Sequence, residues 1–274
     1  MRRAWLPAVL ALVAASCDAG PGRGSWETLE PGLELGRFPG CTTAPAEPPA
    51  ITVVRVDPGK FELRVASASA TPERRSRTVR SWAEAHGLVV ATNAGMYHQD
   101  FVRHVGLLVD GEHVNNPVAV ATYKSALAFN PLRAGLPPFE LADLDQITIP
   151  ELRERYATVV QNLRMIAPGR RNVWAASEKR SATAALAVDR GGRLLFLFHE
   201  APISVHDLNR CLLALPVGIE RAQYLEGGAE AALLVRAGGR EIDLAGETTA
   251  GFSFPIPNVL GVARRATSPT SEAR

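Results

Sequence analysis

The chain has 274 residues, with 30 basic and 28 acidic side chains and a formal charge of +2. Arg2 and Arg3 account for that excess, so the remainder is near neutral and offers no basic field for a nucleic-acid backbone. Its three cysteines, without closely spaced Cys/His sets, Asp-rich loops or Gly-Lys phosphate loops, give no signature for zinc, calcium-loop or nucleotide chemistry.

Arg2-Arg3 precede an apolar run from Ala4 to Ala15, which is too short for a permanent bilayer span and reads as a targeting segment, residues 1–16. Ala14-Ala15-Ser16-Cys17 resembles the box that directs lipid attachment, with Cys17 as the acylated residue. The expected location is therefore the bacterial cell envelope, lipid-anchored at a membrane, with plain secretion as the alternative. Residues 17–50 are rich in Gly and Pro and read as the anchor cysteine followed by a tether, which joins the domain near Leu33 or Phe38. The domain itself is expected over 51–274. Cys41 and Cys211 remain as a disulfide candidate in an exported chain, although Cys211 equally suits the apolar face of a helix.

Ile51–Asp57 and Phe61–Ala66 read as two strands around Pro58-Gly59. Val79–His86 reads as a helix closed by Gly87, which feeds a buried strand over Leu88–Thr92. Further strands are expected at Val105–Val109, Ala126–Phe129 and Ala157–Val160, with connection around Pro137 and Pro138. Ala184–Asp189 and Leu194–Phe198 flank a Gly-Gly turn and predict a hairpin. Ser204 is a candidate N-cap, with Asp207 in the first turn and Leu208, Cys211, Leu212 and Leu215 on one apolar face. Ala232–Arg236 and Glu241–Leu244 predict a last hairpin. Together these give a single, sheet-rich α+β domain with mixed or antiparallel strands and a few short helices.

Polar residues interrupt this scaffold at three places. Asn93 follows a buried strand, where its amide can serve a hydroxyl or phosphate oxygen or simply cap a turn; Gly95 permits close backbone approach, and Tyr97 and His98 follow. Arg180 precedes a strong strand, placed either to clamp a phosphate or to form a surface ion pair. Glu226, before Gly227 and Gly228, suits proton transfer, a sugar oxygen or a divalent cation, and equally a structural turn.

Asn93-Ala94-Gly95-Met96-Tyr97, Val105-Gly106, the segment from Gln161, Arg180-Ser181-Ala182, Leu225-Glu226-Gly227-Gly228 and Pro257-Asn258-Val259-Leu260-Gly261-Val262 occur in an order that resembles the phosphodiester glycosidase family. The resemblance implies an α+β domain that hydrolyses the bond between a sugar anomeric carbon and a phosphodiester. It implies that Glu226, Arg180 and Asn93 are catalytic, and that Tyr97, His98, Gln161, Arg164, Gly95, Gly227 and Gly228 bind substrate, a sugar phosphodiester or envelope glycan. No cofactor is required by it, although a divalent cation at Glu226 stays open. The sequence departs from the pattern: Glu226 stands where Asp is usual, Ala229-Glu230-Ala231 lacks a serine, Asn162-Leu163-Arg164 lacks a Ser-Gly-Pro turn, and Ala184 replaces a glycine. These departures leave a second expectation, a catalytically impaired glycan- or phosphodiester-binding envelope protein. Glu230, Asp100 and Asp110 are equal candidates for a second acid.

Overall fold

A computed structural model describes residues 24–40, 49–247 and 253–265. In chain order it contains β1 (Ser25–Glu30), β2 (Leu33–Pro39), β3 (Ala50–Val56), β4 (Phe61–Ser67), α1 (Val79–His86), β5 (Val90–Asn93), β6 (Leu108–Asp110), β7 (His113–Asn116), β8 (Ser125–Pro131) and β9 (Phe139–Asp143). It continues through α2 (Ile149–Arg155), β10 (Tyr156–Asn162), β11 (Arg164–Ala167), β12 (Arg171–Asn172), β13 (Ser181–Asp189), β14 (Leu194–Ile203), α3 (Val205–Ala214), β15 (Ile219–Gly227), β16 (Ala232–Ala237), β17 (Arg240–Ala245) and β18 (Asn258–Arg264).

The strands form three antiparallel sheets, ordered β1-β2-β3-β14-β13-β15-β11-β12, β17-β16-β5-β18-β4 and β7-β6-β10-β8-β9. One core lies at their centre, to which Phe196 and Phe198 of the first sheet, Val90 and Leu260 of the second and Leu127 and Val160 of the third all contribute. Alternate residues of the same strands face outward and are covered too. Ala185, Ala187, Leu195 and Leu197 pack with Leu208 and Leu212 of α3. Ala91, Leu234 and Val259 pack with Trp82 of α1, and Ala126, Ala128 and Val159 pack with Leu152 of α2. Burial on both faces explains why these strands read as continuous apolar runs rather than alternating ones. Each large side chain so buried contributes about 1.5 to 3 kcal/mol.

The helices are short because their ends are fixed. Thr78 Oγ1 accepts the Ser81 amide at 3.2 Å to open α1, and Gly87 closes it in the left-handed region at φ +62°. Ser204 Oγ accepts the Asp207 amide at 3.1 Å, as its N-cap reading requires. In α2, Thr148 and Glu151 form a reciprocal capping box with a proline in the first turn. With only three short α-helices among the described residues, the fold is mostly β and the α+β expectation fits it loosely.

Two boundaries need correction. Residues 25–39, read as part of the tether, form β1 and β2, and β2 pairs along β3 from Leu33↔Val56 to Pro39↔Ala50. Leu33, Leu35 and Phe38 are buried, which identifies this segment as part of the domain. The strand expected at Val105–Val109 begins only at Leu108, because the backbone before it serves the loop described below. The targeting segment, Cys17 and Cys41 lie outside the described residues. Cys211, on the buried face of α3, is disulfide-bonded. Among the described residues, no helix is long and apolar enough to cross a membrane.

Candidate active site

The carboxylate Glu226 sits near the end of β15, where the chain leaves the first sheet and enters the second through a turn at Gly228–Glu230. The β13–β15 register shifts between Ala184↔Glu226 and Ala185↔Tyr224, so Leu225 is an extra residue in β15. Such a bulge breaks the regular alternation and re-aims the side chain that follows. Glu226 is half-buried and accepts its neighbour Gly227's amide at 3.0 Å. Burial, reinforced by the negative charge of Glu230, pushes its pKa up to about 7 even against that hydrogen bond and the ammonium of Lys179.

Three tyrosines share this environment. Burial raises the phenol pKa of Tyr224, Tyr97 and Tyr123, and the carboxylate of Glu226 raises each further. The hydroxyls of Tyr224 and Ser181 lie over Gly227, where a Cβ would collide with the first and approach the second within 2.8 Å. Gly228 has φ +73°. Gly228 is therefore favoured by its backbone conformation, and Gly227 by the hydroxyls packed over it.

Asn93 is fully buried at the end of β5. Its Nδ2 donates to the Glu230 carbonyl at 2.7 Å, and its Oδ1 accepts the Ala232 amide at 2.8 Å. These bonds clamp both sides of the carboxylate turn, so Asn93 positions that turn rather than presenting its amide to a ligand. Gln161 is likewise occupied: Oε1 accepts the amides of Leu107 and Val120, while Nε2 donates to the carbonyls of Val120 and Tyr123. It sets the loop that carries Tyr123. Gly95, at φ +146°, has Asn162 Oδ1 and His104 Cε1 packed where a Cβ would stand, so the close approach it permits is to protein atoms. Asn162 Nδ2 donates to the Ala94 carbonyl at 2.8 Å and ties the third sheet to this segment.

Other expected site residues are exposed or hold partners of their own. Arg164 Nη1 donates to Asp143 Oδ1 at 2.6 Å and Asp145 Oδ2 at 2.7 Å, leaving it committed to an ion triad. His98 is exposed. Arg180, with half its side chain exposed, reaches Asp207 at 4.0 Å. Asp100 is engaged by Arg103 and the loop amides, and Asp110 accepts Thr158 Oγ1. Of the three second-acid candidates, only Glu230 shares the field of Glu226. Sequence reasoning overlooked Tyr123 and Lys179. Lys179 was adjacent to a singled-out arginine, whereas Tyr123 carried no local signal because Gln161, distant in sequence, places it. No three His, Cys, Asp or Glu side chains converge as a metal site among the described residues.

The family model for phosphodiester glycosidases matches residues 86–263. The chain belongs to the phosphodiester glycosidase family. Every segment of the site just described lies within the matched span. Among solved structures, the chain resembles a hypothetical protein from Synechocystis at TM-score 0.65 and 15% identity, covering 90% of this chain and 64% of that one. It also resembles the zebrafish N-acetylglucosamine-1-phosphodiester α-N-acetylglucosaminidase catalytic domain, auto-inhibited by its pro-peptide, at TM-score 0.63 and 15% identity. That match covers 89% of this chain and 87% of the zebrafish domain. At such identities the likeness is one of fold. No curated protein matches the chain significantly.

Proposed function

We propose that the chain hydrolyses a sugar-1-phosphodiester, or a related glycan phosphodiester of the cell envelope, to a free sugar and a phosphomonoester. The observation that carries this reading is Glu226, a carboxyl with its pKa raised to about 7 among three tyrosines. A base is most effective when its pKa lies near the working pH. In this mechanism water adds to the anomeric carbon and gives its proton to the Glu226 carboxylate. The bond from that carbon to the phosphate oxygen breaks, and its electron pair leaves with the phosphomonoester. Glu230 stabilises the positive charge that develops on the sugar, and Lys179 the negative charge on the departing phosphate. Arg180 joins Lys179 by turning its exposed side chain from Asp207. Asn93 and Gln161 act indirectly, by holding the carboxylate turn and the Tyr123 loop. For an exported chain, the corresponding location is the envelope, with a lipid on Cys17 as the anchor; processing that is insensitive both to globomycin and to Cys17→Ala would refute the anchor.

A product-resolved assay of sugar-1-phosphodiesters with the purified full chain tests the reaction. Released sugar plus phosphomonoester is expected, with Glu226→Gln reducing turnover at least a hundredfold. Arg180→Ala is expected to weaken phosphodiester binding far more than binding of the neutral sugar. Binding without turnover across pH would instead favour a catalytically impaired binding protein. That second reading is supported by Arg164, which is held in its ion triad, and by Glu226, one methylene longer than the usual Asp.

A further inference from the structure

Residues 173–180 connect β12 to β13 and border the site at both ends. Near one end, half-buried Trp174 packs against Tyr224 with ring centroids 5.6 Å apart; near the other, Lys179 interacts electrostatically with Glu226. Tyr224 is itself two residues before Glu226 and shares its field. Beside this connection opens a shallow cleft of about 260 Å³, lined by Thr122, Lys124, Leu163, Arg164, Val173 and Trp174. That is smaller than a pocket enclosing a drug-sized ligand, and suits a single ring lying open to solvent. Tyr123, which Gln161 holds and whose phenol feels the charge of Glu226, directly follows Thr122 of this cleft.

The two cations lining this cleft, Arg164 and Lys124, are both paired with carboxylates beside it. Arg164 is shared between Asp143 and Asp145, and Lys124 lies 3.2 Å from Asp145, so two cations face two carboxylates. That pairing weakens the attraction an anion would meet there. The cleft instead offers an indole, the aliphatic surfaces of Val173 and Leu163, and a hydroxyl from exposed Thr122. Apolar surface beside a few polar groups fits a neutral ring with a C–H face and hydroxyls at its edge. The phosphate, by contrast, belongs with Lys179 and Arg180 at the far end of the same connection.

We infer that this cleft is a saccharide subsite in which Trp174 seats a second, uncharged sugar ring of the substrate beside the phosphodiester. The inference rests on the glycosidase reading and narrows the substrate to a saccharide of two or more rings. To test it, the full chain is titrated with cellobiose, chitobiose and maltose while the Trp174 indole N–H resonance, assigned with Trp174→Phe, is followed by NMR. Methyl phosphodiesters of the same disaccharides and of their monosaccharide units are assayed for turnover. At least one disaccharide is expected to shift the resonance saturably and to bind about tenfold more tightly than its monosaccharide. Trp174→Ala should abolish that advantage and Trp174→Phe retain part of it. An unmoved resonance with all three disaccharides, or an advantage that survives Trp174→Ala, overturns the subsite. Saturable binding at Trp174 with every diester left intact would support the subsite and refute hydrolysis. Turnover of monosaccharide diesters with no disaccharide preference would do the reverse.

Discussion

Replacing Asn93 with alanine separates a ligand contact from a clamp. The side chain is fully buried and makes two hydrogen bonds, 2.7 Å to the Glu230 carbonyl and 2.8 Å from the Ala232 amide. Alanine would leave both backbone groups buried without partners, at about 1 to 3 kcal/mol each. Strand pairing would survive, since Thr92 Oγ1 still donates to the Ala232 carbonyl at 2.7 Å and Thr92 still pairs with Leu233. The expected loss of stability is therefore about 2 to 5 kcal/mol, without loss of the fold. Denaturant unfolding at fixed pH, with the slope compared to the parent chain, measures it. Asn93→Asp should cost at least as much as alanine, because one carboxylate oxygen can accept from Ala232 but the other meets the Glu230 carbonyl with no donor between them in a buried site. A loss below about 0.5 kcal/mol, accompanied by abolished phosphodiester binding, would refute the clamp and return Asn93 to the substrate.

The raised pKa of Glu226, near 7, means that the folded chain holds a proton that the unfolded chain releases from its ordinary value of 4.5. Stability contributed by this group is present below pH 4.5 and lost as pH rises to about 7, so Glu226→Gln should gain on the parent across that window in paired denaturation curves; parallel curves would refute it. His104 works in the opposite sense: burial lowers its pKa from 6.5 to about 4, despite its bond to the Gln161 carbonyl, so stability falls as pH drops through that interval. The two windows overlap and oppose, and a His104→Gln chain should lose the acid-side term alone. Gly95→Ala should cost at least about 1 to 3 kcal/mol, because a Cβ would strike Asn162 and His104 at a positive φ; an unchanged melting temperature would contradict that packing. Mass analysis under non-reducing conditions should find Cys41 linked to Cys211, and two free thiols would exclude the bond.

Local chemistry made several elements legible in the sequence. Gly87, Ser204 with Asp207, and the Gly191-Gly192 turn each act within a few residues, and their helices and hairpin stand where those signals place them. The capping box at Thr148 and Glu151 is an equally local signal, and it opens α2. The order of the motifs carried the family, because motif order is a property of the chain itself. Other features depended on tertiary contact. β1 and β2 lie in a Gly- and Pro-rich stretch whose strand character comes from pairing, β2 along β3 and β1 along β2. Asn93, Gln161 and Arg164 are polar residues in site motifs, and no sequence pattern distinguishes an amide or guanidinium facing a ligand from one spent on backbone or carboxylates. That choice is made by the partners at Glu230, Ala232, Val120, Tyr123 and Asp143, brought close only when three sheets meet. The proton affinity of Glu226 is decided there too, since it depends on burial and on the neighbouring charge of Glu230, and neither exists until the turn is folded.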